Sequence, residues 1–364
     1  MNTMTTLEKK LKKIGRDEKI TAKAVGLRYV NDSTPGYTRK KWRNGWRFFD
    51  AGGQLVTDRL LIDRFNKLVI PPAYTNVWIS PFENSHLQFT ATDAAGRKQY
   101  RYHPGWNKIR NQSKYYRMQA FAAHLPVIRK QVDKDLSRPE LDHQKVVALV
   151  IRLMELTGIR IGNEAYKKLY GSFGITTLQN RHVKINGNKL QFEFKGKKGV
   201  FHKVNLQSKK LARLVKQCRD IPGKELFQFY DTDGKHCAVT SGDVNQYLHK
   251  ITGEDFTAKD FRTWMGSITA LYAIKNAGEF ETISECRKKI VGVLDEVALN
   301  LGNTRAVCKK YYVHPSVIKS YEDGTIFRYI KTLDDEQHIE PVALNRAELA
   351  LLEIVQNEKL SEAS

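Results

Sequence analysis

The hydrophobic periodicity of this chain changes at His103-Pro104-Gly105, and this change limits the fold more than any other sequence feature. Before it, short aromatic and β-branched runs such as 27–30 and 46–49 are separated by clusters of turn-forming residues. After it, apolar residues recur at helical spacing, first over 116–132. The pattern therefore predicts a β-rich module over residues 26–103, followed by a mainly helical region.

A β-rich insert interrupts the helical region. Asn186-Gly187 lies between two runs of alternating apolar residues, which is typical of a two-residue β-hairpin. A second turn over 195–199 leads into another alternating run over 200–204. We expect three antiparallel strands here. The chain as a whole is predicted to have an α+β fold, with a small β-rich N-terminal domain and a mainly helical domain that contains the insert.

The two ends of the chain differ from the regions between them. A short basic run over 7–14 is interpreted as a solvated end, and from Asp334 onward acidic residues outnumber basic ones. The helical stretch over 343–355 is expected to be peripheral, with a frayed terminus. Since 364 residues usually exceed one compact domain, we predict two domains with flanking segments. The predicted boundaries are a basic arm over 1–25, a β-rich domain over 26–103, a helical domain over 104–333 and an acidic tail over 334–364.

The formal charge of +22 at pH 7 indicates a polyanionic partner, either nucleic acid or an anionic membrane surface. A membrane is not favoured, because the sequence has no apolar run of about 18 residues. No signal-peptide core follows Met1. We therefore expect a cytoplasmic protein that binds nucleic acid and has no membrane partner.

The sequence predicts neither a metal nor a cofactor. Cys218, Cys237, Cys286 and Cys308 lack Cys-x-x-Cys spacing, so they are expected to be reduced, mostly buried thiols. Asp231-Thr232-Asp233-Gly234 begins like a calcium loop but lacks the later glutamate, so a turn is predicted. There is no Walker A sequence that would indicate ATP. Phosphoryl chemistry would then depend on side chains for charge stabilisation.

Two isolated arginines fit that requirement. Arg160 follows Thr157-Gly158 at an irregular junction after a predicted helix, where a side chain can be aimed. Arg262 opens another predicted helix, whose following face is apolar. A guanidinium is always charged, and its planar fork can hold two phosphate oxygens. Taken alone, however, either arginine is more commonly a surface ion-pair partner.

A lysine and a tyrosine are the other candidates. Lys197 lies at a glycine-flanked hairpin tip, where it could protonate a leaving oxygen as a general acid. On pattern alone, it is more simply a solvated turn lysine beside Lys195 and Lys198. Tyr312, in basic surroundings, could attack phosphorus as a nucleophile. The chain has 16 tyrosines, so a core tyrosine is the alternative, and Tyr311 is a direct competitor.

At these residues the chain resembles the bacterial, poxvirus-like type IB DNA topoisomerases, over about residues 26–324. In the β-rich region the resemblance rests on 68–79 (Leu-Val-Ile-Pro-Pro-Ala-Tyr-Thr-Asn-Val-Trp-Ile) and 93–103 (Asp-Ala-Ala-Gly-Arg-Lys-Gln-Tyr-Arg-Tyr-His). In the helical region it rests on the motifs Arg-Ile-Gly-Asn, Phe-Lys-Gly-Lys, Lys-Asp-Phe-Arg-Thr and Leu-Gly-Asn-Thr, and on the second tyrosine of Tyr-Tyr-Val-His-Pro. It implies the catalytic fold shared by tyrosine recombinases and type IB topoisomerases.

The resemblance also implies roles for individual residues. The implied catalytic set is the nucleophile Tyr312, the phosphate-oxygen ligands Arg160, Arg262 and Asn303, and the general acid Lys197. The implied DNA contacts are Gln88, Arg97, Lys98, Tyr100, Tyr102, Lys198 and Lys259. Three positions depart from the family pattern: Ser85 and Ala91 lie near positions that usually carry glycine, and Arg305 stands where proline is common.

The implied activity is relaxation of positive and negative supercoils by transient single-strand cleavage and religation, through a 3′-phosphotyrosyl link and without ATP or an obligatory metal. The expected partner is double-stranded DNA, bound by a monomer at the nucleoid in the cytoplasm. A tyrosine recombinase is the nearest alternative, although Lys259 stands where recombinases typically carry histidine. A DNA-binding protein with a decayed site is the other alternative, and five filled catalytic positions argue against it.

Overall fold

The structure is a computed structural model that describes residues 17–43, 45–331, 333 and 342–362, without the side chains of 111–116 and 358–362. Most of the predicted N-terminal arm and positions 334–341 of the predicted tail lie outside the described residues. The chain forms two compact units, one ending at Arg117 and the other beginning at Met118.

The first unit is built around one antiparallel sheet. Its elements are α1 (Glu18–Ala24), β1 (Tyr37–Trp42), β2 (Gly45–Phe49), α2 (Arg59–Lys67), β3 (Thr75–Ile79), β4 (Leu87–Thr92) and β5 (Lys98–Tyr102). The strand order is β2-β1-β3-β4-β5. Apolar residues that alternate along the strands pack with Phe65 of α2 into one core that includes Phe48, Val77, Ile79 and Phe89. The predicted β-rich region is confirmed; α2 is an element that the strand pattern did not reveal.

Helix α3 (Pro104–Leu136) runs into the second unit, where helices predominate. The helices that follow are α4 (His143–Thr157), α5 (Glu164–Tyr170), α6 (Lys209–Arg219), α7 (Ser241–Thr252), α8 (Ala258–Ala277), α9 (Ile283–Leu301), α10 (Arg305–Tyr311), α11 (Pro315–Glu322), α12 (Phe327–Ile330) and α13 (Arg346–Glu362). Residues 145–151 of α4 are all buried, as expected for a helix that is apolar nearly all round and lies at the centre of a core. Within the described ranges, no helix is both long and apolar enough to cross a membrane.

The predicted three-stranded insert is confirmed. It consists of β6 (Val183–Asn186), β7 (Lys189–Lys195) and β8 (Phe201–Gln207), paired antiparallel in that order. Gly187 has a positive φ of 58°, which the tight turn between β6 and β7 requires. A further ribbon of β9 (Gln228–Tyr230) and β10 (His236–Ala238) surrounds the predicted turn at Asp231, whose carboxylate accepts from the backbone N–H groups of Asp233 and Lys235. The α+β prediction is therefore correct.

The C-terminal helix is not peripheral, and this prediction was wrong. One face of α13, including Ala347, Leu351 and Ile354, is buried in the second unit. Glu348, also buried, accepts hydrogen bonds from Arg129 of α3 at 2.7 and 3.0 Å and from Trp264 of α8 at 3.0 Å. The apolar residues recur at helical spacing, but the acidic character of the segment concealed the stripe.

Candidate active site

Arg160 lies just after α4, where the chain turns sharply. The helix ends at Gly158, which has a left-handed conformation with φ of 62°. The left-handed conformation favours glycine, and a Cβ at this position would also lie 2.5 Å from Sδ of Met265, so that side chain would have to move. Two residues later, the Arg160 guanidinium donates to the carbonyl of Gly302 and to Oδ1 of Asn303, both at 3.3 Å. Arg160 therefore contacts the segment that follows α9.

Arg262 lies in the first part of α8 and is almost completely buried, with 5% exposure. Its two terminal nitrogens donate to the backbone carbonyls of Gly158 and, at 2.8 Å, Leu301. The guanidinium carbon lies 5.3 Å from the ring centre of Tyr312. Burial lowers the pKa of Arg262, and the Tyr312 phenol opposes that shift. Since carbonyls carry no net charge, these two hydrogen bonds orient the guanidinium and do not neutralise it.

Tyr312 lies directly after α10, and its backbone packs against α8. A Cβ added at Gly266 of α8 would lie 2.8 Å from the carbonyl oxygen and 3.1 Å from Cβ of Tyr312. The Ser267 hydroxyl donates to the same carbonyl at 3.3 Å and accepts from the N–H group of His314 at 3.0 Å. The helix that carries Arg262 therefore also fixes the backbone of Tyr312.

Lys197 lies in the loop between β7 and β8. The loop is closed by a hydrogen bond of 2.7 Å from the N–H group of Gly196 to the carbonyl of Val200, and inside it the N–H group of Gly199 donates to the carbonyl of Gly196 at 3.1 Å. Lys198 has a positive φ of 63°, which is uncommon for a residue other than glycine. The Lys197 ammonium is 5.6 Å from the ring centre of Tyr166 on α5. The predicted position of Lys197 at a hairpin tip is correct.

Four of the five predicted catalytic residues line one cavity of about 250 Å³, namely Arg160, Lys197, Arg262 and Tyr312. The fifth, Asn303, contacts Arg160 from outside this lining. The predicted DNA contact Lys259 also lines the cavity, whereas Tyr311 does not. None of the described residues that line the cavity is acidic. Four cationic side chains around one small space create a positive potential that would attract a phosphate group.

The two arginines affect each other electrostatically. Burial lowers the pKa of Arg160, and the positive charge of Arg262 lowers it further. Arginine nevertheless stays protonated in proteins. An anion placed between the two guanidinium groups would relieve their repulsion, so the site is organised for a negatively charged ligand.

His202 of β8 is a residue near the site that sequence reasoning missed. Its ring is stacked on Phe194, with centroids 5.0 Å apart and planes inclined by 4°. Burial, together with the positive charges of Arg160 and Arg262, lowers the pKa of His202 to about 4. The sequence did contain a signal, because His202 shares the inward face of an alternating strand with Val204.

Gln88, a predicted DNA contact, is buried in the first unit. Its amide nitrogen donates to the backbone carbonyls of Glu83 at 2.8 Å and Ser85 at 2.7 Å. Two of the departures from the family pattern are buried in the same unit, since Ser85 and Ala91 have 0% and 1% exposure. The Gln88 amide therefore holds a turn of the protein itself, and its contact with DNA stays a prediction.

The other predicted DNA contacts of this unit are around β5. Those that share one face of the strand are Lys98, Tyr100 and Tyr102. The Lys98 ammonium forms an ion pair with Asp32, and Tyr100 is 51% exposed. Arg97, before the strand, pairs with Asp93 at 2.7 Å. Lys198, a predicted DNA contact of the second unit, is exposed in the turn beside Lys197. The DNA contacts of all these residues stay predictions.

Arg305, the third departure, is not directed at the cavity. Its guanidinium binds both carboxylate oxygens of Asp295 on α9, at 2.7 and 2.6 Å. Both side chains are about half exposed. The arginine therefore links the start of α10 to α9, and its side chain has a structural contact that a proline could not make.

Comparison with known proteins identifies the class of protein. The family model described as "Eukaryotic DNA topoisomerase I, catalytic core" matches residues 103–339. The model described as "Bacterial DNA topoisomerase IB, N-terminal domain" matches residues 45–93. Both descriptions name DNA topoisomerases, so the chain is an enzyme of this class.

Individual relatives narrow the class further. DNA topoisomerase 1B of Acanthamoeba polyphaga mimivirus is 31% identical over 296 residues, which cover 79% of this chain and 87% of the relative. DNA topoisomerase 1B of Vaccinia virus (strain Copenhagen) is 23% identical over 259 residues, covering 69% and 78%. The chain belongs to the type IB DNA topoisomerase family.

A solved structure of the XerH site-specific recombinase, in a post-cleavage complex with palindromic difH substrate, is also similar. It has 17% sequence identity and a TM-score of 0.37, and the match covers 56% of this chain and 51% of that one. This likeness is too weak to support the recombinase alternative, whereas the family models and the sequence relatives are topoisomerases.

Proposed function

We propose that this type IB topoisomerase relaxes positive and negative supercoils by transesterification at Tyr312, with Arg160, Lys197, Arg262 and Asn303 as the other catalytic residues. The observation that carries the proposal is the single cavity in which a tyrosine meets two arginines and a lysine, with no acidic residue among its described lining. That composition suits a phosphodiester, which carries one negative charge and gains more on its oxygens during displacement.

In the cleavage step, Oη of Tyr312 attacks a backbone phosphorus of duplex DNA. A bond forms between Oη and phosphorus, the phenolic proton passes to solvent water, and the bond from phosphorus to the 5′ oxygen breaks as that oxygen takes a proton from Lys197. The positive charge of Arg262, 5.3 Å from the ring centre, favours the negative charge that develops on the attacking oxygen. The product is a 3′-phosphotyrosyl link and a 5′ hydroxyl.

Arg160, Arg262 and Asn303 would hold the non-bridging oxygens. Each guanidinium is already oriented by backbone carbonyls, those of Gly302 and Leu301 among them. Preorganised donors stabilise a transition state because they need not reorient while charge develops. The burial of Arg262 strengthens its electrostatic effect, since water screens it less.

Lys197 would protonate the departing 5′ oxygen and take the proton back during religation. The loop between β7 and β8 presents this lysine to the cavity that Tyr312 lines. A general acid is useful here because an alkoxide is a poor leaving group unless it receives a proton.

Between cleavage and religation, the strand with the free 5′ hydroxyl would rotate about the intact strand. The phosphotyrosyl bond conserves the energy of the broken phosphodiester, so no ATP is needed. We propose that the protein acts as a monomer on double-stranded DNA in the cytoplasm, at the nucleoid, without an obligatory metal. The net charge of +22 supports binding to duplex DNA through its phosphates.

A comparison of Tyr312→Phe with Tyr311→Phe tests the proposal. Supercoiled plasmid is mixed with each protein in EDTA and without ATP, and DNA binding is measured separately by gel shift. We expect wild type and Tyr311→Phe to relax the plasmid, and Tyr312→Phe to bind DNA without relaxing it. Relaxation by Tyr312→Phe at the wild-type rate would rule out the proposed nucleophile.

A further inference from the structure

The imidazole of His202 lies between two glycines from distant parts of the chain. A Cβ added at Gly196 would lie 2.6 Å from its Nε2, and one added at Gly302 would collide with its ring. Phe194 covers one face of the ring, and Nε2 is fully buried. The side chain therefore acts as a spacer between the base of the β7–β8 loop and the turn that follows α9.

Each of these glycines is next to a residue of the proposed site. Gly196 precedes Lys197 directly, and its own backbone closes the loop by hydrogen bonding with Val200. Gly302 precedes Asn303 directly, and its carbonyl accepts from Arg160 at 3.3 Å. The His202 ring thus lies against the backbone on which the proposed general acid and the proposed oxygen ligand are both mounted.

The two segments that His202 separates differ in how many other contacts fix them. The turn after α9 is held by Arg262, which donates to the Leu301 carbonyl, and by the Asn303 N–H group, which donates to the carbonyl of Ala298 at 2.9 Å. Residues 197–200 of the loop are exposed, and His202 packs against the inner side of the loop at Gly196. Removing the imidazole should therefore displace Lys197 more than Asn303.

The imidazole suits this place because it is flat and uncharged. Its ring fits between two glycines that leave no room for a thicker side chain. With its pKa near 4, it adds no third positive charge beside Arg160 and Arg262 at neutral pH.

We propose that His202 is a positioning residue that fixes the distance between the Lys197 loop and the Gly302–Asn303 turn, and thereby places Lys197 against the leaving 5′ oxygen. The inference rests on the proposed function, since it assumes that Lys197 is the general acid. An ordinary core histidine would support stability alone, whereas a positioning residue affects one chemical step.

The test compares two DNA substrates in single-turnover cleavage. One has the normal 5′ oxygen at the cleaved bond, and the other has sulfur in its place, which leaves as a thiolate without needing a proton. Loss of a general acid lowers the cleavage rate of the oxygen substrate about 10²–10⁴-fold, whereas the sulfur substrate should be cleaved at close to the wild-type rate. We expect His202→Ala to cleave the oxygen substrate about 10- to 100-fold more slowly and the sulfur substrate within about threefold of wild type.

Three further variants are measured beside it. The sulfur substrate should restore the cleavage rate of Lys197→Ala, and it should not restore that of Asn303→Ala. His182→Ala is the matched control, because His182 is a buried histidine of this unit whose pKa, like that of His202, is lowered to about 4, mainly by burial. His182→Ala should lower the thermal stability, and its cleavage rate relative to wild type should be the same for both substrates.

His202→Ala and His182→Ala are first compared by thermal unfolding and DNA binding, so that all rates come from folded protein. If His202→Ala does not fold, the milder His202→Asn takes its place in the same assay. Equal losses on both substrates, or no loss on either, would overturn the inference while leaving the proposed function intact. If the sulfur substrate does not restore the cleavage rate of Lys197→Ala, Lys197 is not the general acid. The proposed role of His202 would then be wrong as well.

Discussion

Buried arginines in this protein have two kinds of partner. Arg129 pairs with the carboxylates of Glu155 and Glu348, as buried structural arginines usually do. Arg262 instead donates to carbonyl oxygens, including that of Leu301, and Arg160 to a carbonyl and an amide oxygen. These partners orient the charge without cancelling it. Within the second unit, this contrast distinguishes the two arginines that line the cavity from Arg129, whose charge is paired inside the fold.

The first prediction concerns Arg262. We expect Arg262→Ala to lower the single-turnover cleavage rate about 10²–10³-fold, the range for removing one preorganised donor. Arg262→Lys should restore little of the lost cleavage rate, because one ammonium cannot contact the Gly158 and Leu301 carbonyls and a phosphate oxygen together. Arg305→Ala is the matched control, since this exposed arginine binds Asp295 instead of lining the cavity. Rates of Arg262→Ala within threefold of the control would show that Arg262 is structural.

At the scale of elements, α8 contributes one proposed catalytic residue and holds the backbone of another. Arg262 lies near its start, and Gly266 and Ser267 contact the backbone of Tyr312 one turn later. Residues at i and i+4 lie on one face of a helix, so a single rigid element positions both the proposed nucleophile and one proposed oxygen ligand. Small movements of α8 should then affect chemistry more than DNA binding.

Gly266→Ala tests this arrangement. The added Cβ would lie 2.8 Å from the Tyr312 carbonyl, so the Tyr312 backbone must move. We expect cleavage to slow about 10- to 100-fold while DNA affinity is unchanged, because a displacement of about 1 Å can cost about 10²-fold. Gly292→Ala on α9 is the control: among described residues, nothing lies within 4 Å of its added Cβ. A wild-type cleavage rate for Gly266→Ala would contradict the close contact.

The C-terminal helix should contribute to stability. Glu348→Ala removes one of the two carboxylates that pair with Arg129 and leaves the Trp264 indole N–H without its acceptor, so we expect the free energy of unfolding to fall by about 3 kcal/mol. Glu353→Ala, at an exposed position of the same helix, should change it by less than about 0.5 kcal/mol. Urea denaturation measures both. Equal, small effects would mean that α13 is peripheral after all.

Local elements were predictable because their signals lie close together in the chain. Asn186-Gly187 predicted the hairpin, and Thr157-Gly158 predicted the junction that aims Arg160. The site could not be predicted in this way. Arg262 reaches a carbonyl 39 residues away, and His202 meets Gly302, through packing that no local pattern encodes. The assignment of catalytic roles came from family motifs, because each residue alone fitted a structural role as well.

At the scale of the whole molecule, the charge of +22 should govern affinity for DNA. Phosphate contacts release condensed counterions, so the logarithm of the association constant falls by about 0.9 per phosphate for each tenfold rise in salt. We expect affinity for a duplex without a preferred site to fall about 10³-fold or more between 50 and 200 mM salt. Fluorescence anisotropy measures this dependence. A nearly flat response would contradict binding dominated by phosphate contacts.

The central claim is that Tyr312 carries the DNA through a 3′ phosphate. Its most direct test is to stop a cleavage reaction with denaturant, digest the DNA and the protein, and identify the modified peptide by mass spectrometry. A duplex labelled at the 5′ end of the cleaved strand shows in parallel which fragment stays attached. We predict a nucleotide on Tyr312 and retention of the 5′-labelled fragment. A nucleotide on Tyr311, or retention of the opposite fragment, would contradict the account.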